Sequence, residues 1–177
     1  MTLEFPDLAA DGGDLMFLLG IMFNQQIRAE AAWKAPARLR KRLGVLDVDE
    51  LADADPATLA AVMRDRPMIH PFTTSMATYT IGICNRLIAL FDARAENVWA
   101  DHPDAVTLLR RLTGFPGIGR HKAAVAIALL IREYGIPISD GTGLAREGFA
   151  SCPRLREVLT IRETEIDQDV TPHRPLR

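Results

Sequence analysis

The chain has 177 residues, of which 48% are hydrophobic and 25% are charged. This length and composition suit one globular domain with its own core, and we expect residues 1–177 to form a single domain. The 21 basic and 23 acidic residues give a formal net charge of −2. That charge excludes a protein that coats DNA through overall positive potential, so any DNA contact must come from a local patch.

The cysteines and the N-terminal segment narrow the class of protein further. Cys84 and Cys152 are the only two cysteines. They cannot supply a zinc site or a four-cysteine iron–sulfur cluster, and we expect no such cofactor. The first residues lack the basic segment of a signal peptide, and the apolar run 15–23 is too short to span a bilayer. We therefore expect a cytoplasmic protein that has no membrane partner.

The hydrophobic pattern of the first half predicts helices, because it has helical period and almost no strand alternation. Asp14 is a suitable N-cap for the first helix, Pro36 is a typical first helical residue, and Asp55-Pro56 combines both signals. In chain order, the predicted helices run from Asp14 to about Phe23, from about Arg28, from Pro36 to Gly44, from Asp55 to about Arg64, and from Thr73 or Thr74 to about Phe91.

The second half continues as helices around one tight turn. Asp101 and Pro103 open a helix to Leu112, and a further helix follows from about Arg120 to Tyr134. This second helix is apolar nearly all round, which predicts a central, buried position. Residues 141–152 have a poor pattern. Pro153 is expected to start a last helix over 154–166, before a frayed tail.

The tight turn, residues 112–120, has the sequence LTGFPGIGR. Gly117 and Gly119 permit positive φ and close approach of another backbone. The free N–H groups of the following helix start form a site for phosphate. A plain helix–helix turn is the alternative. Four basic residues surround the turn and favour the phosphate site: Arg110, Arg111, Arg120 and Lys122.

The sequence FPGIGRHKAA at 115–124 resembles the hairpin of the helix-hairpin-helix (HhH-GPD) DNA glycosylase superfamily. That superfamily includes endonuclease III, the adenine-mismatch glycosylases and the alkyl-adenine glycosylases, and the last have the most similar hairpin. LGIMFNQQ at 19–26 resembles the end of the family's first helix. The resemblance covers about residues 14–140, with the hairpin unit at 103–134, and is weak over 141–177. It implies an all-α, multi-helix fold with a short second lobe, and a cleft that receives a flipped nucleotide.

The resemblance also assigns residues that contact DNA or a cation. Gln25 and Gln26 correspond to the glutamine that fills the space left by the flipped base, although a polar loop end is an equal alternative. The carbonyls of Thr113, Phe115 and Ile118 correspond to a site for a monovalent cation, Na⁺ or K⁺. The residues expected to contact DNA at the hairpin are Gly117, Ile118, Gly119, Arg120 and Lys122.

Catalysis in such enzymes requires a carboxylate beside the sugar cation. Asp140 lies after the second hairpin helix, where the family carries its catalytic aspartate, but Asp-Gly is also a strong turn signal. Some relatives place this acid after a longer loop. At that distance the chain offers only Glu147, and otherwise it has no catalytic acid. The lysine of strand-cutting members corresponds to His121, a candidate catalytic-site residue that we expect to contact DNA or line the cleft rather than act as a nucleophile. Lys122, which is turned about 100° around the helix, is expected to contact phosphate rather than act as a nucleophile.

The resemblance therefore implies a base excision repair enzyme that hydrolyses the N-glycosidic bond of a damaged or mismatched base without cutting the strand. We expect it to act as a monomer on double-stranded DNA, in association with the nucleoid. Two alternatives stay open. One is a DNA-binding protein with a degenerate catalytic site, and the other is a glycosylase that also cuts the strand through Lys122.

Overall fold

The computed structural model describes residues 3–152, which form eight α-helices, one 3-10 helix and no strand. The all-α prediction is therefore confirmed over this range. The helix predicted for 154–166 and the frayed tail lie outside the described residues. In chain order, the elements are Gly13–Phe23 (α1), Ala29–Leu43 (α2), Val48–Ala52 (α3), Pro56–Arg64 (α4), Thr73–Leu90 (α5), the 3-10 helix Ala95–Val98, Ala105–Thr113 (α6), Arg120–Arg132 (α7) and Leu144–Ser151 (α8).

Two predicted helix starts and one predicted N-cap are wrong. Pro36 lies inside the continuous helix α2, where its ring is buried, and does not begin a new helix. Asp14 lies in the first turn of α1, where its carboxylate accepts the N–H of Leu15 at 2.8 Å. Helix α6 begins at Ala105 rather than near Asp101, because Asp104 is the cap and accepts the N–H of Thr107 at 2.7 Å.

Helices α3 and α8 are absent from the sequence prediction. Helix α3 has only five residues, capped by the Asp47 side chain, which accepts the N–H of Glu50 at 2.9 Å. Helix α8 contains Gly148, a residue that weakens a helical pattern. That glycine is needed for packing, because a Cβ there would lie 2.3 Å from the Ala124 carbonyl oxygen on α7.

Helix α7 occupies the centre of the fold, as its apolar sequence predicts. Residues 123–130 are all buried. Helix α8 packs along α7, and α6 and α1 also contact it, while α3 and α4 cover α5 and α2 covers α1. None of the helices within residues 3–152 has the length and apolar content that a membrane span requires. The buried part of α7 thus anchors its exposed start, residues 120–121, and the hairpin that precedes it.

Candidate nucleic-acid interface

The hairpin between α6 and α7 has a buried side and an open edge. Phe115 and Ile118 are 2% and 3% exposed, and the Ile118 N–H donates to the Phe115 carbonyl at 3.3 Å. Gly119 is exposed, and a Cβ placed there would meet no atom of residues 3–152 within 4 Å. Gly119 is also the N-cap residue of α7 and has no side chain that could cap the helix. The first amides of α7 therefore adjoin an open glycine edge, the arrangement that binds an anion. Ile118 can contact DNA only through its backbone.

Helix α5 packs directly against the hairpin. A Cβ on Gly82 would lie 2.8 Å from Pro116, so the helix backbone approaches the turn directly. Arg86 lies one turn further along α5, and its guanidinium is close to Gly114. A Cβ on residue 114 would lie 2.2 Å from this guanidinium. The same guanidinium lies 5.5 Å from the centre of the Phe115 ring, a cation–π distance. The turn is therefore held in place by α5 as well as by its own sequence.

Gly117 is the position where the hairpin meets both α5 and α1. Its φ is +75°, in the left-handed region that favours glycine. A Cβ at this position would lie 2.8 Å from the Tyr79 ring and 3.0 Å from Met22. Glycine is therefore required here by backbone conformation and by packing together.

The Lys122 side chain turns inward from α7. Its ammonium donates to the Met22 carbonyl at 2.7 Å, to the Gly117 carbonyl at 2.8 Å and to Oε1 of Gln25 at 3.3 Å. The side chain is half-buried, and this burial lowers the pKa of Lys122 to about 8. Each of the three N–H donors has an acceptor within the protein. The lysine expected to contact phosphate is thus engaged with α1 and the hairpin instead.

The other basic residues near the hairpin differ in how firmly they are paired. Arg111 makes two bonds to the Asp101 carboxylate, at 2.6 and 2.7 Å, and a third to the Val98 carbonyl at 2.8 Å. The hydrogen bond from Arg111 lowers the pKa of Asp101. Arg120 pairs with Glu147 on α8 at 2.9 and 3.1 Å. Arg110 is exposed and donates to the Thr107 hydroxyl at 3.1 Å. The predicted basic patch therefore contains three side chains paired within the protein, and Arg110 and the amides of α7 are its donors available to an anion.

The Arg120–Glu147 pair gives a prediction about DNA affinity. Both side chains are substantially exposed, 62% and 42%, so the pair is weak, about 0–1 kcal/mol, and a phosphate can replace the carboxylate. We expect Glu147→Gln to tighten duplex binding about two- to fivefold at low salt, as measured by fluorescence anisotropy. The matched control is the same substitution in an Arg120→Gln background, where no gain is expected. An equal gain in both backgrounds would assign the effect to net charge rather than to this pair.

A small cavity of about 160 Å³ opens beside Lys122. It is smaller than the roughly 300 Å³ at which ligand pockets begin, so it does not hold a flipped nucleotide without opening. The sequence predicts that His121 contacts DNA or lines the cleft, but it gives no signal for Ser151, because α8 itself is not predicted. The residues that line the cavity are Ile21, Asn24, His121, Lys122, Val125, Ser151 and Cys152.

A larger cavity of about 530 Å³ lies near the starts of α1 and α3. Its lining includes five carboxylates and one guanidinium, and none of the residues predicted to bind DNA. Because DNA is an anion, this acidic lining does not suit it. The charged residues of the lining are Asp11, Asp14, Asp47, Asp49, Arg94 and Glu96.

Asp140 lies at the start of α8. Its carboxylate accepts the N–H groups of Leu144 at 2.9 Å and Ala145 at 2.8 Å, and the Thr142 hydroxyl at 3.2 Å. Burial alone raises the pKa of Asp140, but the backbone hydrogen bonds from Ala145 and Leu144 outweigh it and the pKa is lowered. The carboxylate is therefore ionised at neutral pH. Asp140 is not among the residues that line the Lys122 cavity, and its catalytic role stays a prediction.

The two glutamines after α1 point to different surroundings. The Gln25 N–H donates to the Phe23 carbonyl at 2.7 Å, and its side chain is half-buried against Lys122. Gln26 is exposed and has a φ of +55°. The His70 ring contacts the same turn. Its Nδ1 accepts the N–H of Phe72 at 3.1 Å and is therefore unprotonated, so that Nε2 carries the proton and donates to the Phe23 carbonyl at 3.2 Å.

The resemblance predicts a cation site at three hairpin carbonyls. Among these carbonyls, that of Phe115 accepts the N–H of Ile118 at 3.3 Å. The Thr113 hydroxyl turns back to the Leu109 carbonyl at 2.8 Å. A monovalent cation at Thr113, Phe115 and Ile118 stays a prediction.

Comparison with known proteins agrees with this geometry. A search of curated proteins finds no match to the chain. A family model described as "HhH-GPD superfamily base excision DNA repair protein" matches residues 19–146, which extend from α1 through the hairpin into α8. The match covers more than half of the chain and includes both segments that carry the resemblance. The chain belongs to the HhH-GPD superfamily of base excision DNA repair proteins.

Proposed function

We propose that the protein is a DNA glycosylase that flips a damaged or mismatched base from duplex DNA and hydrolyses its N-glycosidic bond without cutting the strand. The observation that carries the proposal is the exposed glycine N-cap of α7, Gly119, beside the Lys122 cavity. The amides bind a phosphate, and an adjacent cleft receives the nucleotide once the cavity opens. We further propose that the protein acts as a monomer, in the cytoplasm with the nucleoid.

The chemistry assigned to Asp140 follows from its charge. Cleavage of the N-glycosidic bond leaves positive charge on the sugar, and a nearby carboxylate stabilises that cation or activates the attacking water. The hydrogen bonds from Leu144 and Ala145 keep Asp140 ionised at neutral pH. The proposal makes Asp140 the catalytic carboxylate, with the start of α8 as its support.

The test is a screen of duplexes that carry uracil, 8-oxoguanine, thymine glycol, an alkyladenine or hypoxanthine. Base release is measured by alkaline cleavage on gels, with the undamaged duplex as the control. We expect release from at least one lesion. If the protein binds DNA but releases no base from any of them, the function is that of a DNA-binding module, an alternative favoured by the position of Asp140 outside the Lys122 cavity.

The buried amine of Lys122 supports a second candidate, a glycosylase that also cuts the strand. Such an enzyme needs a neutral amine, which condenses with C1′ of the opened sugar to form an imine with loss of water. Burial lowers the pKa of Lys122 to about 8 and so raises its neutral fraction. The three oxygen acceptors, in contrast, stabilise the charged ammonium.

These bonds lead us to predict base release without strand cutting. Borohydride added during the reaction at pH 7 should trap no covalent protein–DNA adduct, and the abasic product should break only in alkali. If Lys122 were the nucleophile, trapping would rise with pH as the ammonium deprotonates through about pH 8. A trapped adduct that is lost in Lys122→Ala would overturn the prediction and establish the second candidate.

A further inference from the structure

The loop that carries Asp140 is held on both sides of this residue. Ile138, which precedes it, is 8% exposed and belongs to the hydrophobic core. On the other side, the Asp140 carboxylate accepts the N–H groups of Leu144 and Ala145, the first two residues of α8. Ser139 lies between these two attachments and is exposed. The position of the Asp140 backbone therefore depends on what holds the chain at Ser139.

The start of α6 supplies that contact. The N–H of Ala105 donates to the carbonyl of Ser139 at 2.9 Å. Ala105 is the first residue of α6, and the first N–H groups of a helix have no acceptor within the helix. Because Ala105 is only 1% exposed, water competes little for this bond. A free helix amide is thus used to hold the residue directly before Asp140.

The rest of the joint between α6 and this loop is open. A groove of about 400 Å³ lies between them, and its lining includes Val106, Thr107 and Arg110 on α6 and Gly141 and Thr142 on the loop. Side chains therefore do not fill the space along this joint. The backbone hydrogen bond, rather than side-chain packing, sets the spacing of the two elements.

The cap of α6 keeps the donating amide in place. The Asp104 carboxylate accepts the N–H of Thr107 at 2.7 Å and the Thr107 hydroxyl at 3.3 Å. The hydrogen bond from the Thr107 N–H lowers the pKa of Asp104, so the cap is ionised at neutral pH. Since the cap fixes where α6 begins, it also fixes the direction of the Ala105 N–H.

We propose that Asp104 and Ala105 are positioning residues that hold the Asp140 loop, so that α6 joins the hairpin to the catalytic carboxylate. This inference rests on the proposed function, because Asp140 is catalytic only under that proposal. Helix α6 ends at Thr113, where the hairpin turn follows, and its nine residues span about 13 Å. One helix therefore sets the distance between a phosphate bound at the hairpin and the carboxylate that acts on the sugar.

The first test is Ala105→Pro. Proline is favoured at the first position of a helix, as Pro56 shows in α4, so α6 should persist while the N–H to Ser139 is lost. We expect single-turnover base release to fall about tenfold or more, with the Kd for duplex DNA within about twofold of wild type, because a displaced catalytic group slows chemistry without weakening binding. The matched control is Val48→Pro, which makes the same change behind the Asp47 cap of α3 and should alter neither quantity.

The second test separates the cap from the charge of Asp104. Serine is a good N-cap and alanine is a poor one, so Asp104→Ala should lower base release about tenfold while Asp104→Ser keeps most of the wild-type rate. Asp55→Ala removes the corresponding cap of α4 and should lower the melting temperature without changing base release. Equal rates in the alanine and serine variants of Asp104, whether lowered or unchanged, would exclude positioning by this cap.

Hydrogen exchange tests the same link without catalysis, and melting curves verify that each variant is folded. The amides of Leu144 and Ala145 are bonded to Asp140, and their exchange should become about tenfold faster in Ala105→Pro but not in Val48→Pro. Unchanged exchange in a folded Ala105→Pro protein would overturn the inference, as would equal losses of base release and DNA affinity. If the wild type releases no base, the proposed function fails, and hydrogen exchange still decides whether α6 holds the loop.

Discussion

Asp140→Asn is expected to lower base release by about 100-fold or more on the lesion that the wild type accepts, while duplex binding survives. The substitution keeps the shape of the side chain and removes the charge that stabilises the sugar cation. An amide has one acceptor oxygen, so it can keep the bond to Leu144 or to Ala145 but serves both less well. Single-turnover release and anisotropy on the same DNA separate the two effects.

The matched control for this prediction is Asp55→Asn. Asp55 caps α4 with the same chemistry, accepting the N–H of Thr58 at 2.8 Å, and α4 packs against α5 and α2. We expect this control to lower the free energy of unfolding by a similar amount, about 1 kcal/mol, and to leave the rate of base release unchanged. If Asp140→Asn releases base at the wild-type rate, Asp140 is not catalytic and serves only as a turn residue before α8.

The lowered pKa of Asp140 also has a consequence for stability. The folded state favours the ionised form, so this contribution to the free energy of unfolding is complete above the unfolded-state pKa of about 4. It is lost as the pH falls through the lower folded-state value. The melting temperatures of the wild type and Asp140→Asn should therefore converge in acid. This measurement tests the hydrogen bonds of Asp140 independently of base release.

Gly117→Ala is expected to weaken binding to duplex DNA about tenfold or more, and equally for all sequences. The φ of +75° is strained for alanine, and the new Cβ would lie 2.8 Å from the Tyr79 ring. The hairpin must shift to relieve both, and its amides move with it. Anisotropy titrations on several duplexes, over a range of salt concentrations, measure the loss.

Gly135→Ala is the matched control for this change. Gly135 has a φ of +64°, and a Cβ at this position would meet nothing within 4 Å in the part of the chain that the structure describes, so alanine brings the same backbone strain without a clash there. It lies beyond the end of α7, and its effect should be confined to stability. Unchanged DNA binding in a folded Gly117→Ala protein would remove the hairpin from the interface.

The sequence predicts the parts of this site whose causes are local. Glycines next to a proline specify the turn around Gly117, and an unbroken apolar stretch specifies the buried α7. The cap at Asp55 is equally local, since its carboxylate accepts the N–H of Thr58 three residues later. Each of these features depends on neighbours within one or two helical turns.

The features that sequence reasoning missed depend on distant partners. Lys122 turns inward because Met22 supplies a carbonyl from 100 residues away, and no local pattern encodes that contact. The pairing of Arg120 with Glu147 depends on the placement of α8, whose glycine weakens the helical signal. The sequence thus locates the charged residues of the hairpin but not which of them face solvent.

The close approach of α5 to the hairpin restricts how this surface can diverge. Gly82 leaves room for Pro116, and Gly114 leaves room for the Arg86 guanidinium. A larger residue on one side of either contact requires a smaller or displaced one on the other. In related chains, positions 82 and 116 are therefore expected to vary together. We expect that transfer of the hairpin to another protein would require transfer of α5 with it.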